Sequence, residues 1–196
     1  MKKRVPLIAL CALCCVALLC APSAARAQDS NLTITGTVIG IGGRLGGRTR
    51  QFTLIVNRYT APFEVRAMTE GLQQRGQDGL LDALDDMEAG RIQIGANVGV
   101  PANAIIASPW GDGGTRLTVF YERNVTFFEL RYGTRSSDYR VGYAEIFLER
   151  NGEGGGTLIP AAQVDLEDGN TWVVENFGIY PARLVGLRAS GSVRPR

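Results

Sequence analysis

"YRVGYAEIFLER", Tyr139–Arg150, alternates two kinds of side chain along its length. Val141, Tyr143, Glu145 and Phe147 share one side, and Gly142, Ala144, Ile146 and Leu148 share the other. A period of two residues is the mark of a β-strand. Both sides are largely apolar, so the stretch declares a strand without declaring which face is the core.

The same pattern spreads in both directions. Upstream, "TRLTVFYER" (115–123) and "VTFFELRYG" (125–133) alternate in the same way, and "RSSDYR" (135–140) lies before the next strand with the serines and aspartate of a turn. Downstream, "NGEGGG" (151–156) reads as a turn into "TLIPAAQVDL" (157–166), and "EDG" (167–169) as a turn into "NTWVVENFG" (170–178). "ARLVGLRAS" (182–190) is the last strand, with 191–196 a frayed tail. "RIQIG" (91–95) and "NAIIASPW" (103–110) are short strands linked through "ANVGVP". Near the start, Leu32, Ile34 and Val38 alternate with threonines, and Phe52, Leu54 and Val56 alternate with polar residues, which predicts a first hairpin.

Between that hairpin and the later strands lies a helical segment, about 60–89. Thr60 reads as an N-cap with Pro62 in the first turn, followed by Val65, Met68 and Leu72 at helical spacing. After "RGQDG" (75–79), a second helix places Leu80, Leu81, Leu84 and Met87 on one face, with Gly90 as its terminator. The fold predicted is therefore α+β, predominantly antiparallel β, a sandwich or barrel of sequential hairpins with a two-helix insertion. Residues 28–190 form a single domain in this reading.

Residues 1–27 read as a cleaved secretory signal: a basic "MKKR", a short apolar run and small residues at Ala25 and Ala27. All four cysteines lie within it, as do both lysines. Removing Lys2, Lys3, Arg4 and Arg26 turns the formal charge from +2 to −2. The mature chain is expected to be secreted or periplasmic, without a transmembrane segment, and its charge does not fit a nucleic-acid partner. With 45% apolar residues the full sequence has the composition of a folded protein, and without cysteine the mature chain must be held by its core.

After that cleavage the chain contains no Lys, His or Cys. Ser-His-Asp, Cys-His, Ser-Lys and Schiff-base catalysis lose their base or amine, so Ser136 and Ser137 have nothing to activate them. Zinc and copper sites lose imidazole and thiolate. The glycine-rich "GIGGRLGGR" (40–48) has Leu45 where a dinucleotide loop needs glycine and lacks the Lys-Ser/Thr end of a P-loop. The acids Asp82, Asp85, Asp86 and Glu88 lack the spacing of a calcium loop. No cofactor or metal site is read from the sequence.

What survives is carboxylate chemistry and binding. Glu129 and Glu145, each within an apolar strand, are the pair that a glycoside hydrolase would need; the alternative for each is an ion pair with arginine on a solvated face. Aromatic residues near turns, Trp110, Tyr132 and Tyr139, together with Arg135, Asp138 and Arg140, form the candidate ligand-binding set. The function expected is a non-catalytic binding or structural module of the cell envelope, with a glycan, a lipid or another envelope protein as partner. Closing of the hairpins around a small apolar ligand, as in a lipocalin-like carrier, is the alternative.

Overall fold

The computed structural model describes residues 29–40, 47–96, 98–123, 139–169, 171–176 and 181–191. Residues 1–28, most of the glycine-rich loop, "VTFFELRYG" and the end of the tail lie outside these residues. Ten strands form one antiparallel sheet: β1 (Asp29–Gly40), β2 (Thr49–Arg58), β3 (Gly90–Ile94), β4 (Val100–Ala102), β5 (Ala104–Trp110), β6 (Gly114–Glu122), β7 (Val141–Leu148), β8 (Glu153–Glu167), β9 (Thr171–Asn176) and β10 (Ala182–Ser190). Their spatial order is β4-β3-β2-β1-β10-β8-β7-β6-β5, with β9 added to β8.

The two ends of that order, β4 and β5, are consecutive in the chain and separated only by Asn103. The sheet therefore curls into a nearly closed barrel, because the same run of backbone pairs with β3 through β4 and with β6 through β5. β4 was not foreseen; "ANVGVP" reads as a link because its strand is only three residues long.

Closure requires the strands to bend, and two bulges supply the bend. In β10 the register slips between Leu184 and Leu187, where Gly186 has φ +58°, so both leucines point inward. In β8 the slip falls between the partners of Val141 and Tyr143, around Pro160, which has no N–H to give the ladder. Beyond Pro160, Ala162 still pairs with Val141 of β7, and the far half of β8 from Ala162 to Glu167 pairs with β9. The "GGG" of residues 154–156 lies inside β8 instead of in the predicted turn. A Cβ at Gly154 or Gly156 would stand 1.9 or 2.1 Å from a carbonyl oxygen of β7, so the strands approach closely only without side chains there.

Leu32, Ile34, Phe52, Leu54, Val56, Leu117, Val119, Ile146 and Leu148 fill the barrel's interior and are fully buried. Each such side chain contributes about 1.5–3 kcal/mol on leaving water, in a region, residues 28–196, that holds no cysteine for disulfides. On β7 the smaller set, Gly142, Ala144, Ile146 and Leu148, faces in, and Tyr143, Glu145 and Phe147 face out. Gly142 is required inside because the ring of Tyr121, its partner on β6, lies where a Cβ would be.

One helix, α1 (Pro62–Asp85), replaces the predicted pair. "RGQDG" forms no loop: it is helical except at Gly76, whose φ of +60° kinks the element. The kink brings Gly71 against Gly79, so close that a Cβ on either would overlap the other's backbone. Eight residues of straight helix would hold them about 12 Å apart. Met68, Leu72, Leu80, Leu81 and Leu84 form a second core against Phe120, Val141, Ile159 and Val164 on the outside of the barrel. Neither predicted helix boundary holds. Thr60 pairs with Ile105 of β5, while Ala61 caps α1 and its N–H donates to Glu64 Oε2 at 2.7 Å. Gly90 opens β3, packed where a Cβ would meet the Ile55 carbonyl oxygen.

Asn103 holds the seam. Buried, it donates from Nδ2 to the carbonyls of Leu84 (3.0 Å) and Met87 (3.2 Å) and accepts the Glu122 N–H at Oδ1 (2.8 Å). Asn103→Leu removes the side-chain partner of the Met87 carbonyl and the Glu122 N–H, while the Leu84 carbonyl keeps the Met87 N–H at 2.9 Å, and is expected to lower unfolding free energy by about 2–4 kcal/mol; a urea-denaturation difference near zero would refute this role. Glu64 offers a second check. Burial raises its carboxyl pKa, but bidentate bonds from Arg58 at 2.7 and 2.9 Å and the Ala61 N–H outweigh burial and hold it below the usual carboxylate range. A lowered folded-state pKa stabilises above the unfolded value and is lost as pH falls through the folded one. Glu64→Gln should therefore cost stability at neutral pH, and the difference from the parent should vanish in acid, as followed by thermal melts across pH.

Candidate functional site

Two hairpin tips meet at one end of the barrel. The β5–β6 tip turns through Gly111 and Gly113, both at positive φ, and ends β5 with Trp110 opposite Gly114. The β7–β8 tip turns through Arg150, Asn151 and Gly152; Asn151 Oδ1 accepts the Glu153 N–H at 2.9 Å, and the Gly152 carbonyl accepts the Ala189 N–H at 2.8 Å. The β6–β7 ladder pairs Thr115 with Leu148, which sets the tips side by side. Between them opens a cleft of about 370 Å³ lined by Trp110, Asp112, Gly114, Glu149, Arg150 and Asn151.

Trp110 is 42% exposed, a high value for an aromatic of its size. Its ring is held from behind by Phe147, with centroids 5.1 Å apart and planes tilted by 49°, and from beneath by the bare backbone of Gly114. It is thus an exposed but propped platform. The side chains of Asp112, Glu149 and Arg150 make no hydrogen bond or ion pair among the described residues. The cleft offers one apolar face, two carboxylate acceptors and one guanidinium donor.

The remaining predicted site residues lie elsewhere. Tyr139 and Arg140 precede β7 at the barrel's opposite end, about 25 Å away by the rise of the strand. The Tyr139 carbonyl accepts from Arg123 at 3.1 Å, and Arg140 is ion-paired with Glu122. Tyr132, Arg135, Asp138 and Glu129 lie outside the described residues. Glu145 is on the outer face of β7, its side chain 28% exposed and 3.8 Å from Arg116, which also donates to Ser108 Oγ at 3.1 Å. At the Arg140 end, a cleft of about 400 Å³ is lined by Asp85, Asp86, Glu88, Asn103 and Glu122 among others. Asn103 is committed to backbone groups there, and no metal-holding group of His, Cys, Asp or Glu occurs among the described residues.

Of the residues lining the Trp110 cleft, the sequence reading names Trp110 and not Asp112, Glu149, Arg150 or Asn151. "WGDGG" and "ERNGEG" are both polar turns beside aromatics, but their adjacency follows from ladder register, which neither stretch displays.

Tyr143, on the same outer face, is pushed up to about 12, chiefly by burial and next by the Glu145 carboxylate. A raised phenol pKa stabilises the fold fully below the unfolded value of about 10 and is lost as pH climbs through the folded one. Tyr121, buried within the barrel, is pushed higher still. Stability should therefore fall above about pH 10, and Tyr143→Phe should flatten part of that fall in alkaline denaturation; an unchanged profile would refute the assignment. Among the described residues, no helix is long and apolar enough to cross a membrane. Compared with protein-family models, with curated proteins and with solved structures, the chain finds no match.

Proposed function

We propose that this chain is an exported, non-catalytic binding module that holds a carbohydrate in the Trp110 cleft. The observation that carries the reading is the propped, exposed indole at the mouth of a cleft whose carboxylates and guanidinium make no hydrogen bond or ion pair among the described residues. A pyranose presents C–H groups on its face and hydroxyls at its edge. The indole suits the face; Asp112 and Glu149 suit hydroxyl donors, and Arg150 suits hydroxyl or ring oxygens. A ligand on the rim also accords with a barrel interior occupied by the protein's own side chains. Absence of Lys, His and Cys from residue 28 onward, and the pairing of Glu145 with Arg116, support binding over catalysis. Export rests on the signal-like residues 1–27.

The chain has two tryptophans, and the other, Trp172, is packed on Phe120 with its Nε1 donating to Thr69 at 3.3 Å. Trp172→Phe therefore leaves Trp110 as sole indole reporter. Titrating residues 28–196 with glucose, galactose, mannose and N-acetylglucosamine should give a saturable emission change with at least one of them. Trp110→Ala should weaken that binding tenfold or more by calorimetry, about 1.4 kcal/mol. No binding from the panel, or binding indifferent to Trp110→Ala, would overturn the proposal.

A further inference from the structure

The cleft continues onto the outer face of the barrel. Trp110 leans on Phe147, and the β8 residue paired with Phe147 is Gly155. Gly154 and Gly156 are accounted for by the close approach of β7, but Gly155 points the other way. A Cβ there would meet a single neighbour within 4 Å, the Leu184 carbonyl oxygen at 3.2 Å, with open space beyond. The outer face beside Phe147 thus has a floor without a side chain. Its far border is Thr157, paired with Glu145, and Glu145 in turn lies 3.8 Å from Arg116.

Resting on the reading of the cleft as a carbohydrate site, we infer that the ligand is a linear glycan: one ring stands against Trp110 and the next lies over Phe147 and Gly155. Three observations support a chain over a single sugar. The Trp110 and Phe147 centroids are 5.1 Å apart and Gly155 is one strand further, about 4.8 Å, so the apolar track is about 10 Å long, more than one ring covers. The track is flanked on β7 and β8 by hydroxyl-compatible groups, Glu145 and Thr157. Arg116 and Glu145 are turned toward each other, and Arg183, opposite Thr157 on β10, adds an exposed guanidinium that can donate to the hydroxyls of a second ring.

The test measures affinity against chain length. Residues 28–196 are titrated calorimetrically with a glucose series and an N-acetylglucosamine series, from monosaccharide to hexasaccharide. The disaccharide or trisaccharide should bind about tenfold tighter than the monosaccharide. Gly155→Ala should cut that gain. Because its Cβ presses on the Leu184 carbonyl, Thr157→Lys serves as a second variant that lays a long side chain over the same floor without altering the β8–β10 spacing. Equal affinity for monosaccharide and longer chains, with binding still dependent on Trp110, would overturn the second subsite and leave the cleft reading standing. A chain-length gain untouched by both variants would overturn its placement on Gly155. No sugar binding at all would remove the cleft reading and this inference with it.

Discussion

A closed sheet has to solve one problem: somewhere the chain must change neighbours without leaving backbone groups dry and unpaired. Here that place is Asn103. On one side of it the backbone pairs with β3, on the other with β6. The amide side chain fills the gap, taking the Glu122 N–H at its oxygen and giving its own hydrogens to the Leu84 and Met87 carbonyls at the end of α1. Barrel closure and helix docking therefore share one buried side chain. An asparagine suits the place because it both accepts and donates through a short stem, and a buried carbonyl without a partner costs about 1–3 kcal/mol.

Once the sheet closes, the limited interior sorts the side chains of β7. A small barrel is just wide enough inside to be filled by side chains, here mostly aliphatic ones with Phe52 and Tyr121 among them. On β7 the glycine, alanine, isoleucine and leucine go inside, and tyrosine and phenylalanine are left outside. Where α1 covers the outer face, such aromatics become a second core, as Phe120 does with Tyr143 and Trp172. Beyond the helix's reach, the ring that Phe147 meets among the described residues is that of Trp110. The exposed aromatic surface is thus a consequence of how much of the barrel one kinked helix can cover.

The same geometry explains why the candidate site drew so little on its sequence neighbours. Trp110 and Arg150 are joined through β6 and β7, and only the register of those strands brings the β5–β6 and β7–β8 tips together. Residues that seemed associated because they are close in sequence or composition, such as Trp110 with Tyr139 and Arg140, are placed at opposite ends of the strands by antiparallel pairing. The pairing of Glu145 with an arginine was foreseen in kind but not in identity, since Arg116 reaches it across the β6–β7 ladder.

Period-two alternation determined most of the strands, since a side chain's face depends only on its position along the strand. The helical face of Met68, Leu72, Leu80, Leu81 and Leu84 was equally legible, because periodicity is local. The absence of Lys, His and Cys beyond the first residues set the limits of chemistry by composition alone. Tertiary structure decided the rest. Residues 154–156 look like a turn until the nearness of β7 gives two of the glycines a reason to lie in a strand, and "RGQDG" looks like a loop until Gly71 and Gly79 pack across a single kinked residue. Which face of Tyr139–Arg150 lies inside depends on the barrel's narrow interior, a property of the closed sheet and of no segment within it.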